Sequence, residues 1–289
     1  MKKVKKFYLI TNSLKDPDNR ISERISRYLE SKGGTCVVRS SEATEEGDYH
    51  YTDPSRIPED IEGIIVTGGD GTLLQAARDV VYRGIPLLGI NLGHLGYLSE
   101  VDTHNLEPAL DKLLSDDYVQ EERMMLVGTV YREGRVIGRD IALNDIVIVR
   151  EGPMRVIRLD NYVNNEYLNS YDADGIILAT PTGSTGYSLS CGGPIVSPSA
   201  VLTIMTPIAP HALNTRSMIF PGEDVITVEL GEGRKEETEK GLAVFDGDTE
   251  IRLLTGDRIV IRKAAVSTKI LKLKTLSFVE VLRQKMRNS

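Results

Sequence analysis

The 289-residue sequence predicts an α/β half, then a β-rich half, then a closing helix. Three observations predict it. Up to about residue 120, short apolar runs alternate with stretches of helical periodicity, the pattern of layered βα units. After Arg123 the texture changes to short β-rich runs separated by turns, which marks a second domain. At the end, Phe278, Val281, Leu282 and Met286 fall on one helical face, with Lys285 and Arg287 favourable near the C-terminus. The expected division is 1–122, completed by a helix over 275–289, with 123–274 as the β-rich domain.

Along the first half, Phe7 to Thr11 reads as a strand, and Ile21, Ile25, Tyr28 and Leu29 share one face of a helix. Thr35 to Val38 is the next strand, and Glu45 to Pro58 a polar loop. Gly63 to Thr67 is a strand, Thr72 to Tyr82 a helix and Ile85 to Ile90 a strand. That last strand leads into a second glycine-rich turn, Asn91-Leu92-Gly93-His94-Leu95-Gly96-Tyr97. Two such turns at strand ends point to one ligand crevice. Leu106, Leu110, Leu113 and Leu114 form an amphipathic helix. In the second half, Leu126 to Tyr131, Val136 to Val149 and Val156 to Val163 read as strands. Glu133-Gly134 and Asn164-Asn165 read as hairpin turns, and the charged Gly231 to Gly241 segment reads as a solvated loop.

Composition narrows the function classes. A formal net charge of −7 argues against nucleic acid or an anionic membrane as the main partner. The apolar run Phe7 to Ile10 is too short for a signal peptide, and no apolar stretch approaches membrane-spanning length, so the cytoplasm is the expected location. Cys36 and Cys191 read as free thiols, the latter as a packing residue rather than a nucleophile.

The most informative segment is Ile64-Ile65-Val66-Thr67-Gly68-Gly69-Asp70-Gly71-Thr72-Leu73-Leu74, a buried strand joined to a glycine-rich turn holding one carboxylate. Three glycines let backbone approach a ligand and adopt positive φ, with amide N–H groups directed at phosphate oxygens. Thr72 is expected to cap the following helix, whose positive end favours the same anion. A carboxylate repels phosphate, so Asp70 needs another reason to be there: accepting a proton from a hydroxyl nucleophile, or holding a nucleotide-bound metal. A plain βα connection capped by Asp70 would not need three glycines. No Gly-Lys-Ser/Thr follows, which excludes a P-loop, and Leu74 stands where a dinucleotide fingerprint requires its third glycine.

A second constellation lies in the β-rich half. From Asp174 to Ser188 a buried strand empties into Thr180-Pro181-Thr182-Gly183-Ser184-Thr185-Gly186-Tyr187, a run of hydroxyls that suit phosphate or ribose oxygens and an aromatic face that suits a base. An exposed Ser/Thr-rich turn is an equally good reading of that run alone. Upstream, Asn144-Asp145 sits between apolar residues; Asn can read an adenine edge and Asp can accept from ribose hydroxyls, whereas alone the pair reads equally as a turn at a strand end.

Taken together these motifs resemble the NAD kinase family. The resemblance rests on Gly68-Gly69-Asp70-Gly71-Thr72, Asn144-Asp145, Thr180 through Pro194, Thr206-Pro207-Ile208-Ala209-Pro210-His211-Ala212-Leu213-Asn214, and Asp246-Gly247, which span most of the chain in family order. A single Gly-Gly-Asp-Gly turn is shared with lipid kinases and phosphofructokinases; the whole set is not. The resemblance implies phosphoryl transfer from ATP or polyphosphate to the 2′-hydroxyl of the adenosine ribose of NAD, with Mg²⁺ accompanying the ATP rather than held by protein side chains alone. It makes Asp70 the catalytic base and puts the amides of Gly68, Gly69 and Gly71, beside Thr72, on the phosphates. It places Asn144 and Asp145 on the NAD, with Thr185, Gly186, Tyr187 and Ser190 lining its pocket and Arg155, Asp174, Tyr97 and Asp248 as further contacts by position. The implied fold is a Rossmann-like N-terminal α/β domain and a β-sandwich-like, NAD-binding C-terminal domain. A terminal helix returns to the first domain, and the site lies between the two. The implied assembly is a homodimer or homotetramer.

This sequence departs from the family pattern at Gly186, where Ala is usual, and at Asp172, where some members have Arg; Asp145 is the shorter of two accepted acids. The competing readings are a lipid or diacylglycerol kinase, which leaves Asn144-Asp145 and the Thr-Pro-Thr-Gly-Ser-Thr run unexplained, and a noncatalytic NAD(P) sensor, which gains little from a carboxylate facing phosphates.

Overall fold

The computed structural model describes residues 5–40, 52–93, 96–99, 101–152, 156–212, 215–233, 238–273 and 277–287. By Cα proximity the chain divides into two compact units, Met1–Glu122 with Ser267–Ser289, and Arg123–Val266. The second crossing falls earlier than the 274/275 boundary the sequence suggested. The reason is that the end of the last strand pairs into the first unit, through Ile270 opposite Leu87.

The first unit carries β1 (Lys6–Thr11), α1 (Arg20–Ser31), β2 (Thr35–Ser40), β3 (Gly63–Gly68), α2 (Asp70–Val80), β4 (Leu87–Asn91), β5 (Val101–Asp102) and α3 (Leu106–Leu114). Its strands pair in parallel in the order β2-β1-β3-β4, with β5 on β4. A parallel sheet needs cover on both faces, and the strands are accordingly apolar throughout. On one face Phe7, Leu9, Ile65, Leu88 and Ile90 pack with Ile25 and Leu29 of α1 and Leu106, Leu110 and Leu113 of α3. Residues of opposite parity, Tyr8, Ile10, Ile64 and Val66, are buried on the other face, as are Leu73, Ala76, Ala77 and Val80 of α2. The polar loop expected from Glu45 starts outside the described residues and reappears as a 3₁₀ turn at Pro54–Arg56.

β6 (Val119–Arg132) leads into the second unit, which continues with β7 (Arg135–Ala142), β8 (Asp145–Arg150), β9 (Ile157–Val163), β10 (Glu166–Ala173), β11 (Gly175–Ala179), the single turn α4 (Tyr187–Ser190), β12 (Leu202–Ile208), β13 (Met218–Pro221), β14 (Ile226–Leu230), β15 (Lys240–Phe245) and β16 (Thr249–Leu254). β17 (Arg258–Lys272) returns the chain to the first unit, where α5 (Phe278–Arg287) ends it. One sheet runs β13-β12-β11-β8-β15-β16, all antiparallel. Against it stand β10-β9-β14-β17 with β6 and β7. Leu126, Val130, Leu159, Ile226, Ile259 and Ile261 from the latter share a core with Ile146, Ile148, Ile176, Leu178, Ala243 and Phe245 from the former, a β-sandwich.

Both expected hairpins have positive φ at their two turn residues, Glu133 (50°) with Gly134 (75°) and Asn164 (51°) with Asn165 (67°), which suits the strand twist. The run expected as one strand from Val136 to Val149 is instead two, broken at Leu143-Asn144. The charged 231–241 loop lies in part, at 234–237, outside the described residues.

α1 starts without a cap from its own Asn19. Asp16 supplies it from outside the helix, accepting from the Ile21 amide at 3.1 Å, the Ser22 amide at 2.9 Å and the Ser22 hydroxyl at 2.9 Å. Burial alone would raise the Asp16 carboxyl, but these donors outweigh it and hold it below the usual aspartate value. Such a group stabilises the fold above the unfolded aspartate pKa and loses that contribution as pH falls through the folded one. Asp16→Ala is therefore expected to cost about 1 kcal/mol at pH 7. In urea titrations the difference from wild type should narrow towards pH 3.

Candidate active site

In the first unit the site is built at the carboxyl end of β3. The helix begins at Asp70, two residues before the expected start, so Thr72 is not the cap; its Oγ1 accepts from Asn12 Nδ2 at 3.1 Å and, more weakly, from the Gly69 amide at 3.5 Å. Nor do Gly68, Gly69 and Gly71 adopt positive φ. Gly68 is required for a different reason: a Cβ there would lie 2.4 Å from Thr72 Oγ1. A Cβ on Gly69 would meet the Lys15 ammonium at 2.7 Å, while Gly71 faces open space. Lys15, which sequence reasoning passed over, is carried by a turn in which the Lys15 and Asp16 amides both donate to Asn12 O. The only advance signal was its place just after β1, at the same sheet end as the glycine turn.

The Asp70 carboxylate is anchored by the second glycine turn. Oδ2 accepts from the Tyr97 amide at 2.7 Å; Oδ1 accepts from the Leu98 amide at 3.3 Å, the Ser99 amide at 3.2 Å and the Ser99 hydroxyl at 3.3 Å. The backbone comes so near that a Cβ on Gly96 would overlap Asp70 Oδ1 at 1.8 Å. Tyr97, expected as a ligand contact, is a partner of the Asp70 carboxylate through its amide. Ser99 was not foreseen. His94 and Leu95 of this turn lie outside the described residues.

In the second unit, Asn144 and Asp145 stand where the 136–149 run breaks. The break is made by Asp246, whose carboxylate accepts from the amides of Leu143 at 2.7 Å, Asn144 at 2.8 Å and Asp145 at 3.0 Å. Three amides turned towards one carboxylate cannot also serve a straight strand. Thr180 closes the other side, donating from Oγ1 to Leu143 O at 2.6 Å and from its amide to Asn144 O at 2.8 Å. Gly183 must be glycine, since a Cβ would sit 2.1 Å from Asn144 O.

Asn144, Asp145, Asp246 and Gly247 line a cavity of about 390 Å³ with Val147, Val149, Val244 and the ring of Tyr187, which is 46% exposed. Asn144 Oδ1 is buried with no partner among the described residues, an acceptor awaiting a donor. Asp145 is only 6% exposed. Burial first, and then the Asp246 charge, push its carboxyl up to about 7. Burial, with help from the charges of Asp174 and Asp145, also raises the Tyr187 hydroxyl. The Cys191 thiol is raised by burial and by Asp145, which keeps it protonated as the packing residue expected.

The remaining expected residues are placed less directly. Gly186 has φ −96°, and a Cβ there would lie 3.3 Å from Gly183 O and 3.7 Å from Asn144 Nδ2, so this glycine leaves out a methyl beside the pair. Asp174 is ion-paired with Arg150 at 2.8 Å, a partner sequence reasoning missed. Thr185 Oγ1 turns back towards Thr182 O at 3.5 Å. Ser190 and Asp248 are exposed beside the lining rather than in it, and Arg155 lies outside the described residues. The backbone of Asp172 accepts from the His211 amide at 2.8 Å. Among the described residues no three His, Cys, Asp or Glu side chains gather as a metal site, and no helix is long and apolar enough to cross a membrane.

One chain thus carries a glycine turn with an anchored carboxylate and a cleft lined by a buried, unpartnered acceptor and a buried acid. The family model of the ATP-NAD kinase N-terminal domain matches residues 7–118, and that of the ATP-NAD kinase C-terminal domain matches residues 143–273. A protein of Agathobacter rectalis named NAD kinase is 46% identical over 287 residues, covering 99% of each chain. Another so named, from Lachnospira eligens, is 44% identical over 293 residues, covering 98% of this chain and 100% of its own. Among solved structures, yeast NADH kinase complexed with NADH is similar at a TM-score of 0.80 and 25% identity, covering 98% of this chain and 86% of that one. The chain belongs to the NAD kinase family.

The raised Asp145 gives a test by pH. An acid whose folded pKa lies above its unfolded one costs nothing below about 4 and destabilises increasingly as pH rises towards about 7. Asp145→Asn is expected to be the more stable protein at pH 8, by on the order of a few kcal/mol. The gain should vanish near pH 4 in denaturant titrations.

Proposed function

We propose that this protein phosphorylates the 2′-hydroxyl of the adenosine ribose of NAD, using ATP, with Asp70 as general base. The observation that carries the reading is the anchored Asp70 carboxylate at the head of α2, beside the Gly68-Gly69 turn. Among the described residues its Oδ1 is held by three donors and its Oδ2 by one, which leaves Oδ2 room for a proton. As the ribose oxygen bonds to the γ-phosphorus and the bond to the ADP oxygen breaks, the hydroxyl proton passes to Asp70. Charge on the phosphates is met by amides at the start of α2 and by the Lys15 ammonium. Mg²⁺ bound to ATP would neutralise further charge. Such an ion would be held by phosphate oxygens and waters, which leaves Asp70 to serve as the base.

In the second unit Asn144 Oδ1 would accept from the adenine amino group and Asp145 would meet the ribose hydroxyls, with the Tyr187 ring against the base. Asp174 and Arg155 are further NAD contacts on this reading, as are Thr185, Gly186, Ser190, Tyr97 and Asp248. Residues 123–274 act as the NAD-binding part and the Gly-Gly-Asp-Gly-Thr turn as the phosphate part. The protein works in the cytoplasm as a homodimer or homotetramer, in keeping with the resemblance.

Purified protein with NAD, ATP and Mg²⁺ is expected to yield NADP in a coupled assay. Asp70→Asn should keep NAD binding while losing at least about a hundredfold in turnover. NAD binding with no NADP from any phosphate donor would favour the sensor, and lipid phosphorylation without NADP the lipid kinase. Lys15→Met is expected to raise KM for ATP about tenfold, the scale of one lost charge-assisted hydrogen bond. KM for NAD should stay nearly constant, and an equal rise in both constants would remove Lys15 from the phosphates.

A further inference from the structure

We infer that Lys285, near the end of α5, is a positioning residue for the Asp70 carboxylate and acts through Tyr97; the inference rests on the reading of Asp70 as base. α5 starts in a reciprocal cap, the Ser277 amide donating to Glu280 Oε2 at 2.7 Å and the Glu280 amide to Ser277 Oγ at 3.2 Å. None of its residues is buried, and Met286 of its apolar stripe is 68% exposed. Phe278, Val281 and Leu282 of that stripe are half-buried and hold the helix in part. It also offers the Lys285 ammonium, 4.7 Å from the centroid of the Tyr97 ring, within cation–π range.

Tyr97 is held at two points. Its ring meets the helix cation, and its amide makes the shortest bond to the base, 2.7 Å to Oδ2. The two carboxylate oxygens are held unequally. Oδ1 has three donors from buried Leu98 and Ser99, so it stays anchored whatever Tyr97 does. Among the described residues Oδ2 accepts from the Tyr97 amide alone, and it is the oxygen with room to take the ribose proton. A shift of the Tyr97 ring rotates the carboxylate about its anchored oxygen and misaims the basic lone pair. Misalignment of this kind lowers the rate of the chemical step, and because Tyr97 is also an NAD contact on this reading, only ATP binding is left untouched.

The test uses the full chain. Lys285→Met keeps the stem and removes the charge; Lys285→Arg keeps a cation able to sit over a ring. The Met variant is expected to lose about two- to fivefold in kcat, the scale of an exposed cation–π contact, with KM for ATP nearly unchanged. The Arg variant should recover most of the loss. Amide hydrogen exchange over Tyr97–Ser99 in the free protein should quicken in the Met variant and not in the Arg variant. Unchanged kcat and exchange in the Met variant would overturn the inference. So would equal losses in both variants, or a rise in KM for NAD at constant kcat, which would make Lys285 a substrate contact. Exchange is read without turnover: a protein making no NADP, yet showing faster exchange in the Met variant alone, overturns the kinase reading and keeps the Lys285–Tyr97–Asp70 linkage.

Discussion

A carboxylate taken out of water must be given hydrogen-bond donors, and both halves of this molecule's chemistry are organised around that constraint. Asp70 meets it with the amides of Tyr97, Leu98 and Ser99, and Asp246 with those of Leu143, Asn144 and Asp145. In each case the donors are backbone groups released at a strand end. The carboxylate therefore does more than satisfy itself: it dictates where the chain bends, and the bend presents the functional side chains.

The two carboxylates play opposite parts. Asp246 is a holder, and the groups it orders, Asn144 and Asp145, are the ones that face the cavity. Asp70 is itself held, by three donors on one oxygen and one on the other among the described residues. Asp145 belongs to neither class. It is buried beside Asp246 with no comparable set of donors, and its carboxyl rises to about 7 in consequence. The Asn144 Oδ1 beside it is likewise buried with no partner among the described residues. Stability given up at this site is consistent with recognition gained there.

The close glycines follow from the same packing. Gly96 lets a backbone run against Asp70, Gly183 lets another run against Asn144, and Gly68 makes room for Thr72. The sequence reading had assigned the Gly-Gly-Asp-Gly glycines to unusual backbone angles, whereas the structure uses Gly68 for space. Gly186, the departure from the family pattern, widens the surroundings of Asn144 by one methyl rather than freeing a strained backbone.

Local pattern was enough to read the element types, both hairpin turns, the change from an α/β half to a β-rich half, and the motifs that carry the family resemblance. These depend on periodicity of burial and on residues that bond within a few positions of themselves. The break at Leu143-Asn144, the pairing of Asp174 with Arg150, the approach of Lys15 to Gly69 and the contact of Lys285 with Tyr97 were not legible, nor was the helix start at Asp70. Asp246 and Leu143 are 103 residues apart in the chain, and Ser99 and Asp70 29 apart. No local propensity encodes such a bond. The sequence alone determined the motifs that mark the family; tertiary structure decided which donors hold each oxygen of Asp70, because hydrogen-bond donors come from wherever the fold brings a free amide.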